Sequence, residues 1–241
     1  MRKTFLLAAA VSLSAGSLCA CTGLPQLRHQ ADQRMVMNDW PNALKIYDEI
    51  IAKSPDDWEA HRVRGICLLN LGQPLAAETA LTRALALLGP YSPATPGILD
   101  DMANAMLAQK NDPRLAAFLA EQVKRYGNNR DFVRQGRGLA AIGDVDGAVL
   151  AFRKAEIRAW DEGADNRMRT YLAIADFYGG MGDQKNSLRY VRYAAFVNPH
   201  NPEIEPRLIK LARVPGPTER LEPPSKEELI KGSQPESVET K

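Results

Sequence analysis

The chain has 241 residues, 31 Lys plus Arg against 29 Asp plus Glu, and only three cysteines, so it is long enough to bury a core without disulfides and is close to neutral. A balanced chain offers no general field for a polyanion, and nucleic-acid binding therefore has little electrostatic support.

At the N-terminus, Arg2 and Lys3 precede an apolar run from Phe5 to Leu13 and then small residues up to a cysteine, which reads as an export signal over residues 1–20. The run is too short for a membrane-spanning helix, which needs ~20 residues. Leu18-Cys19-Ala20-Cys21 resembles the bacterial lipobox. That resemblance implies cleavage before Cys21 and lipidation of its thiol and new amino group; Cys19 is the poorer choice because Leu18 precedes it. Thr22 rather than Asp follows, which on the family's sorting rule implies the outer membrane, facing the periplasm. A soluble secreted protein cut by the ordinary peptidase is the alternative. Loss of Arg2 and Lys3 would leave 29 basic against 29 acidic residues, and Cys67 as the one free thiol. Within the apolar run ICLLNL, Cys67 reads as a small buried hydrophobe.

From there the chain repeats itself. Asn38-Asp39-Trp40-Pro41-Asn42-Ala43 is followed by Tyr47, Ile50 and Pro55, and Gly72-Gln73-Pro74-Leu75-Ala76-Ala77 by Leu81 and Ala84. Gly143-Asp144-Val145-Asp146-Gly147-Ala148 is followed by Phe152 and Ala155, and Gly182-Asp183-Gln184-Lys185-Asn186-Ser187 by Val191, Ala194 and Pro199. Gly65 and Gly136 each stand seven places before a turn glycine. Small and large residues alternating at helical spacing let two antiparallel helices approach closely, and the turn glycine takes positive φ at a helix end.

This pattern resembles the tetratricopeptide (TPR) repeat. The resemblance implies an all-α, right-handed superhelical solenoid of about five helix-turn-helix repeats: 24–57, 58–91, a degenerate unit at 97–128, 129–162 and 168–201. In the degenerate unit Leu107 and Ala116 fit, while Asn111-Asp112-Pro113 replaces the glycine turn. Residues 161–165 loop out or lengthen a helix. Residues 202–213 can form a capping helix with Ile204, Leu208 and Leu211 on one side, as a solenoid end requires. From 214 to 241 prolines, charges and Ser/Thr predict disorder.

Two motifs are decoys. Gly136-Arg137-Gly138 imitates a dinucleotide fingerprint but lies inside a helix, and Asp144-Val145-Asp146-Gly147 imitates a calcium loop but lacks the later oxygen ligands. His29, His61 and His200 are far apart and have no metal-ligand spacing. No cofactor or metal site and no catalytic constellation is predicted, so the reading is a binding protein and not an enzyme.

The first helix of each repeat lines the concave face of a TPR protein, which implies a groove bearing Arg62, Asn70, Asp101, Arg130, Val133, Arg137, Arg169 and Asp176, with Arg134 beside them. Arg130, Arg134 and Arg137 recur at helical spacing as a positive stripe that Arg169 extends, suited to the carboxylates of an acidic peptide segment. The chaperone-type carboxylate clamp is not matched, since Ile66 and Arg137 stand where it needs asparagine. The resemblance in class to TPR lipoproteins of type IV and tight-adherence pili implies a pilotin-like scaffold. Such a scaffold would be lipid-anchored in the cell envelope and bind envelope proteins in assembly of a pilus, secretion channel or other outer-membrane machine. The alternatives are a subunit of an outer-membrane protein assembly complex, or a cell-wall hydrolase or its activator.

Overall fold

The computed structural model describes residues 23–211 and 220–232, and among these the chain is helical with no strand. The export signal, Cys21 and the remainder of the C-terminal tail lie outside the described residues. Five helix pairs follow one another: α1 (Leu24–Val36) with α2 (Trp40–Lys53), α3 (Trp58–Asn70) with α4 (Pro74–Leu88), α5 (Thr95–Ala108) with α6 (Asp112–Arg125), α7 (Asn129–Ala141) with α8 (Val145–Glu162), and α9 (Ala164–Gly180) with α10 (Gln184–Val197). Two short helices follow among the described residues, α11 (Ile204–Lys210) and α12 (Lys226–Lys231).

Each pair turns through one residue with positive φ. Glycine supplies it at positions 72, 143 and 182, while Asn38 and Lys110 adopt φ of 56° without being glycine. Asparagine tolerates that region; for lysine it costs about 1 kcal/mol. The next residue caps the second helix: the carboxylates of Asp144 and Asp183 and the amide oxygen of Asn111 accept the N–H three residues on. Asp144 is therefore a helix cap and no part of a calcium loop.

Close helix approach explains the small and large residues. A Cβ on Gly65 would lie 2.7 Å from Leu81, and one on Gly136 would lie 2.9 Å from the Phe152 ring, so neither site tolerates a side chain without movement. Ala43, Ala77, Ala84, Ala148, Ala155 and Ala194 are wholly buried. Cys67 is buried too, and burial pushes its thiol up to about 11, so it stays protonated in the core. Core clusters run from α1 to α11 without a break in the succession of repeats, as expected of a solenoid in which each unit packs on its neighbours.

Four sequence expectations need correction. In the third unit the turn residue is Lys110, so the equivalent of Ala77 and Ala148 is Leu115, which is buried, and not Ala116, which is half-buried. Of the two readings of residues 161–165, lengthening holds for 161–162 in α8, and what changes is the start of the fifth unit: the break falls at Gly163, with φ of 101°, so α9 begins at Ala164 and not at 168. The cap is shorter than predicted: α11 spans Ile204–Lys210 and buries Ile204 and Leu208 against α9 and α10. Finally, residues 220–232 are folded, not disordered. Ser225 and Glu228 make a capping box for α12, which packs on α8 and buries Leu229.

Candidate partner-binding groove

The inner face of the solenoid carries a groove of about 460 Å³ between α5, α7, α9 and the start of α11. Apolar side chains such as Ala103, Leu107, Val133 and Leu172 form part of its lining, and charged groups stand among them. The first helices of the third, fourth and fifth repeats, α5, α7 and α9, supply most of this lining.

The arginine stripe is largely consumed by the fold. Arg134 is buried, with Nε donating to Asp100 at 2.6 Å, Nη1 to Asp131 at 2.7 Å and Nη2 to the Pro96 carbonyl at 3.1 Å. Asp131 is itself buried and completes a capping box with Asn128 at the start of α7. Arg134 is therefore a rivet between α7 and α5, and its role as a partner contact is corrected. Arg130 is exposed, yet Nε and Nη2 both reach Asp100, at 3.0 and 2.5 Å. Arg137 and Arg169 are exposed, line the groove, and make no ion pair among the described residues.

The acidic members are also engaged. Both carboxylate oxygens of Asp176 accept from Arg207, at 3.1 and 2.9 Å, and this bidentate pair ties α11 to α9. Asp176 holds the Arg207 guanidinium even further above the usual range. Asp101 faces α3: it accepts from Arg62 Nε at 2.7 Å, and burial pushes its carboxyl up while Arg62 opposes that shift. Arg62 and Asn70 do not line the groove, and the Asn70 amide donates to the Ile66 carbonyl one turn back.

Sequence reasoning missed Asp100, Asn104, Asn129, Asn166, Thr170, Glu203 and Arg207, all of which line the groove. Asn129 is buried, and its amide donates to the Ala155 carbonyl at 2.8 Å and to the Thr170 hydroxyl at 2.7 Å. Glu203 and Arg207 come from the capping segment, whose apolar stripe was legible while its polar face was not. What the site offers is a half-apolar trough with two uncommitted guanidinium groups, suited to an extended or helical segment carrying carboxylates.

Residues 30–93, about a quarter of the chain, match the family model of the tetratricopeptide repeat. No curated protein matches the sequence. A thermophilic TPR protein of Thermus thermophilus shares 16% identity and a TM-score of 0.55 over 79% of this chain and 99% of its own. PilW, a widely conserved type IV pilus biogenesis factor, shares 17% identity and a TM-score of 0.51 over 77% of this chain and 83% of its own. At such identities the likeness is one of fold. Turn geometry, helix pairing and these likenesses agree on an all-helical solenoid whose helix pairs are similar to tetratricopeptide repeats.

Proposed function

We propose that this chain is a non-enzymatic scaffold of the bacterial cell envelope, anchored through a lipid on Cys21 in the outer membrane and holding an acidic segment of a partner protein in the groove between α5, α7 and α9. The observation that carries the binding half is the pair Arg137 and Arg169, exposed and uncommitted on a face whose other charges are neutralised. The anchor half rests on Leu18 to Cys21. The partner belongs to a pilus, a secretion channel or another outer-membrane machine; the direction comes from the lipobox and from the fold shared with PilW.

Crosslinking in cells followed by pull-down tests the binding half. The expected catch is an envelope protein with an acidic segment, lost when Arg137 and Arg169 are both changed to Glu; the same catch with the double variant would refute it. Labelled palmitate tests the anchor half, with incorporation into the natural chain and none into Cys21→Ser. Label in both, or in neither, would refute the lipid anchor.

A further inference from the structure

Residues 220–232 cross the outer face of the fourth and fifth repeats. The Leu221 N–H donates to the Arg192 carbonyl at 3.2 Å, Lys226 Nζ pairs with Asp161 at 2.5 Å, and Arg153 Nη1 donates to the Gly232 carbonyl at 2.7 Å. Between these ties, Pro224 and Leu229 help to line a cavity of about 210 Å³ whose other walls include Phe152, Arg153 and Glu156 of α8, Tyr178 of α9, and Arg189 and Tyr190 of α10.

Glu156 is the unusual member of that cavity. It is 3% exposed, and among the described residues its Oε1 has no hydrogen-bond partner and Oε2 reaches only the Tyr190 hydroxyl, at 3.5 Å. An ionised carboxylate so placed is poorly compensated. The ionisable groups around it are Arg153 on α8, Tyr171 and Tyr178 on α9, and Arg189, Tyr190 and Tyr193 on α10; the C-terminal segment brings none to the cavity. Arg153 is engaged by the Gly232 carbonyl, and burial pushes the tyrosine hydroxyls up, so they remain neutral.

We propose that residues 220–232 are a proton-controlled strap: it stays docked on α8 while Glu156 holds its proton, and ionisation of that carboxylate releases it and opens the aromatic cavity. With the strap in place burial pushes the Glu156 carboxyl up to about 7; hydrated, the group returns toward its ordinary 4.5. Below about 4.5 both forms are protonated and docking is tightest. As pH rises from there to about 7 only the released form is ionised, and release grows by up to ~10-fold per pH unit. Above about 7 both forms are ionised and release levels off. Acidification from neutral therefore fastens the strap.

The test uses the full chain with trifluoromethylphenylalanine at position 227, an exposed site on α12, read by fluorine NMR. Leu229→Asp supplies the signal of the released strap, and Leu229→Ala, with a shortened anchor, raises the released population into measurable range. The released fraction should rise from pH 5 to 7 and stay flat from 7.5 to 8.5. Glu156→Gln should abolish that rise with the strap docked throughout. Tyr190→Phe, which removes the hydroxyl nearest Oε2, should move the midpoint upward, and it decides the matter if Glu156→Gln loses helicity. A released fraction indifferent to pH, the same response in Glu156→Gln, or an unmoved midpoint in Tyr190→Phe would overturn the proposal.

Discussion

On the inner face of α7, Arg134 lies 5% exposed with every guanidinium nitrogen matched to an oxygen, while on α8, Glu156 lies 3% exposed with no ion pair among the described residues. The two burials are equal in depth and opposite in chemistry. A guanidinium cannot discard its charge, so the fold must surround it with carboxylates; a carboxylate can keep its proton, and burial alone makes it do so. Charge on the inner face is thus fixed and structural at Arg134 but free at Arg137 and Arg169. Charge on the outer face is conditional on pH.

The largest effect expected from this contrast is at Arg134. Arg134→Ala would leave the buried Asp131 without its cation and should lower unfolding free energy by about 3–5 kcal/mol, whereas Arg137→Ala, one turn along and exposed, should stay within about 0.5 kcal/mol. Thermal denaturation of both variants checks this. Equal losses would mean that the two arginines do not differ in role.

The two faces are held in register by the contact between α7 and α8. Ala148 is wholly buried at that contact, and Ala148→Leu should cost about 1–3 kcal/mol by overpacking. An unchanged melting temperature would break the register.

A smaller effect, of opposite sign, belongs to Glu156. Its raised pKa means that the folded state binds the proton more tightly than the unfolded state. Stability contributed by the protonated carboxyl is therefore greatest below the unfolded value and falls as pH rises toward about 7. Glu156→Gln, which needs no proton, should gain about 1–2 kcal/mol over the natural chain at pH 8 and little at pH 4.5. Chemical denaturation at the two pH values reads the difference; a gain that is the same at both would remove Glu156 as its source.

How far the sequence announced these features depended on how local their causes are. The Gly-Asp turns and the close-packing positions of Gly65 and Gly136 were legible, because helix period and close approach are short-range rules, while the structure supplies Leu81 and Phe152 as what they meet. The third repeat was misread by one residue, since Lys110 takes a positive φ that no residue preference signals. The arginine stripe was right in spacing and wrong in role: periodicity gives the face of a helix, while Asp100, thirty residues before Arg130, decides which guanidinium remains free. The strap did carry a signal. Ser225 and Glu228 stand in capping-box spacing just before Leu229 and Ile230, a helix start that a polar, proline-rich composition concealed.

The least effect on stability and the greatest on binding should come from the two arginines that the fold leaves alone. Arg137→Glu with Arg169→Glu removes no ion pair among the described residues, so the melting temperature and helicity should hardly move. Binding of an acidic partner segment should nevertheless fall, because each charge-assisted contact contributes ~1.5–3 kcal/mol and its reversal adds repulsion. Salt separates this from a packing effect. Exposed charges are screened within ~10 Å at 0.1 M, so raised salt should weaken the natural chain and have little effect on the double variant, in which attraction is already gone. The contrast with Arg134 is what makes the experiment decisive: reversing Arg134 would unfold the platform and weaken any partner, whereas reversing Arg137 and Arg169 changes only what the groove presents. Undiminished partner affinity in a fully helical double variant, with the salt dependence of the natural chain, would move the binding surface away from this groove.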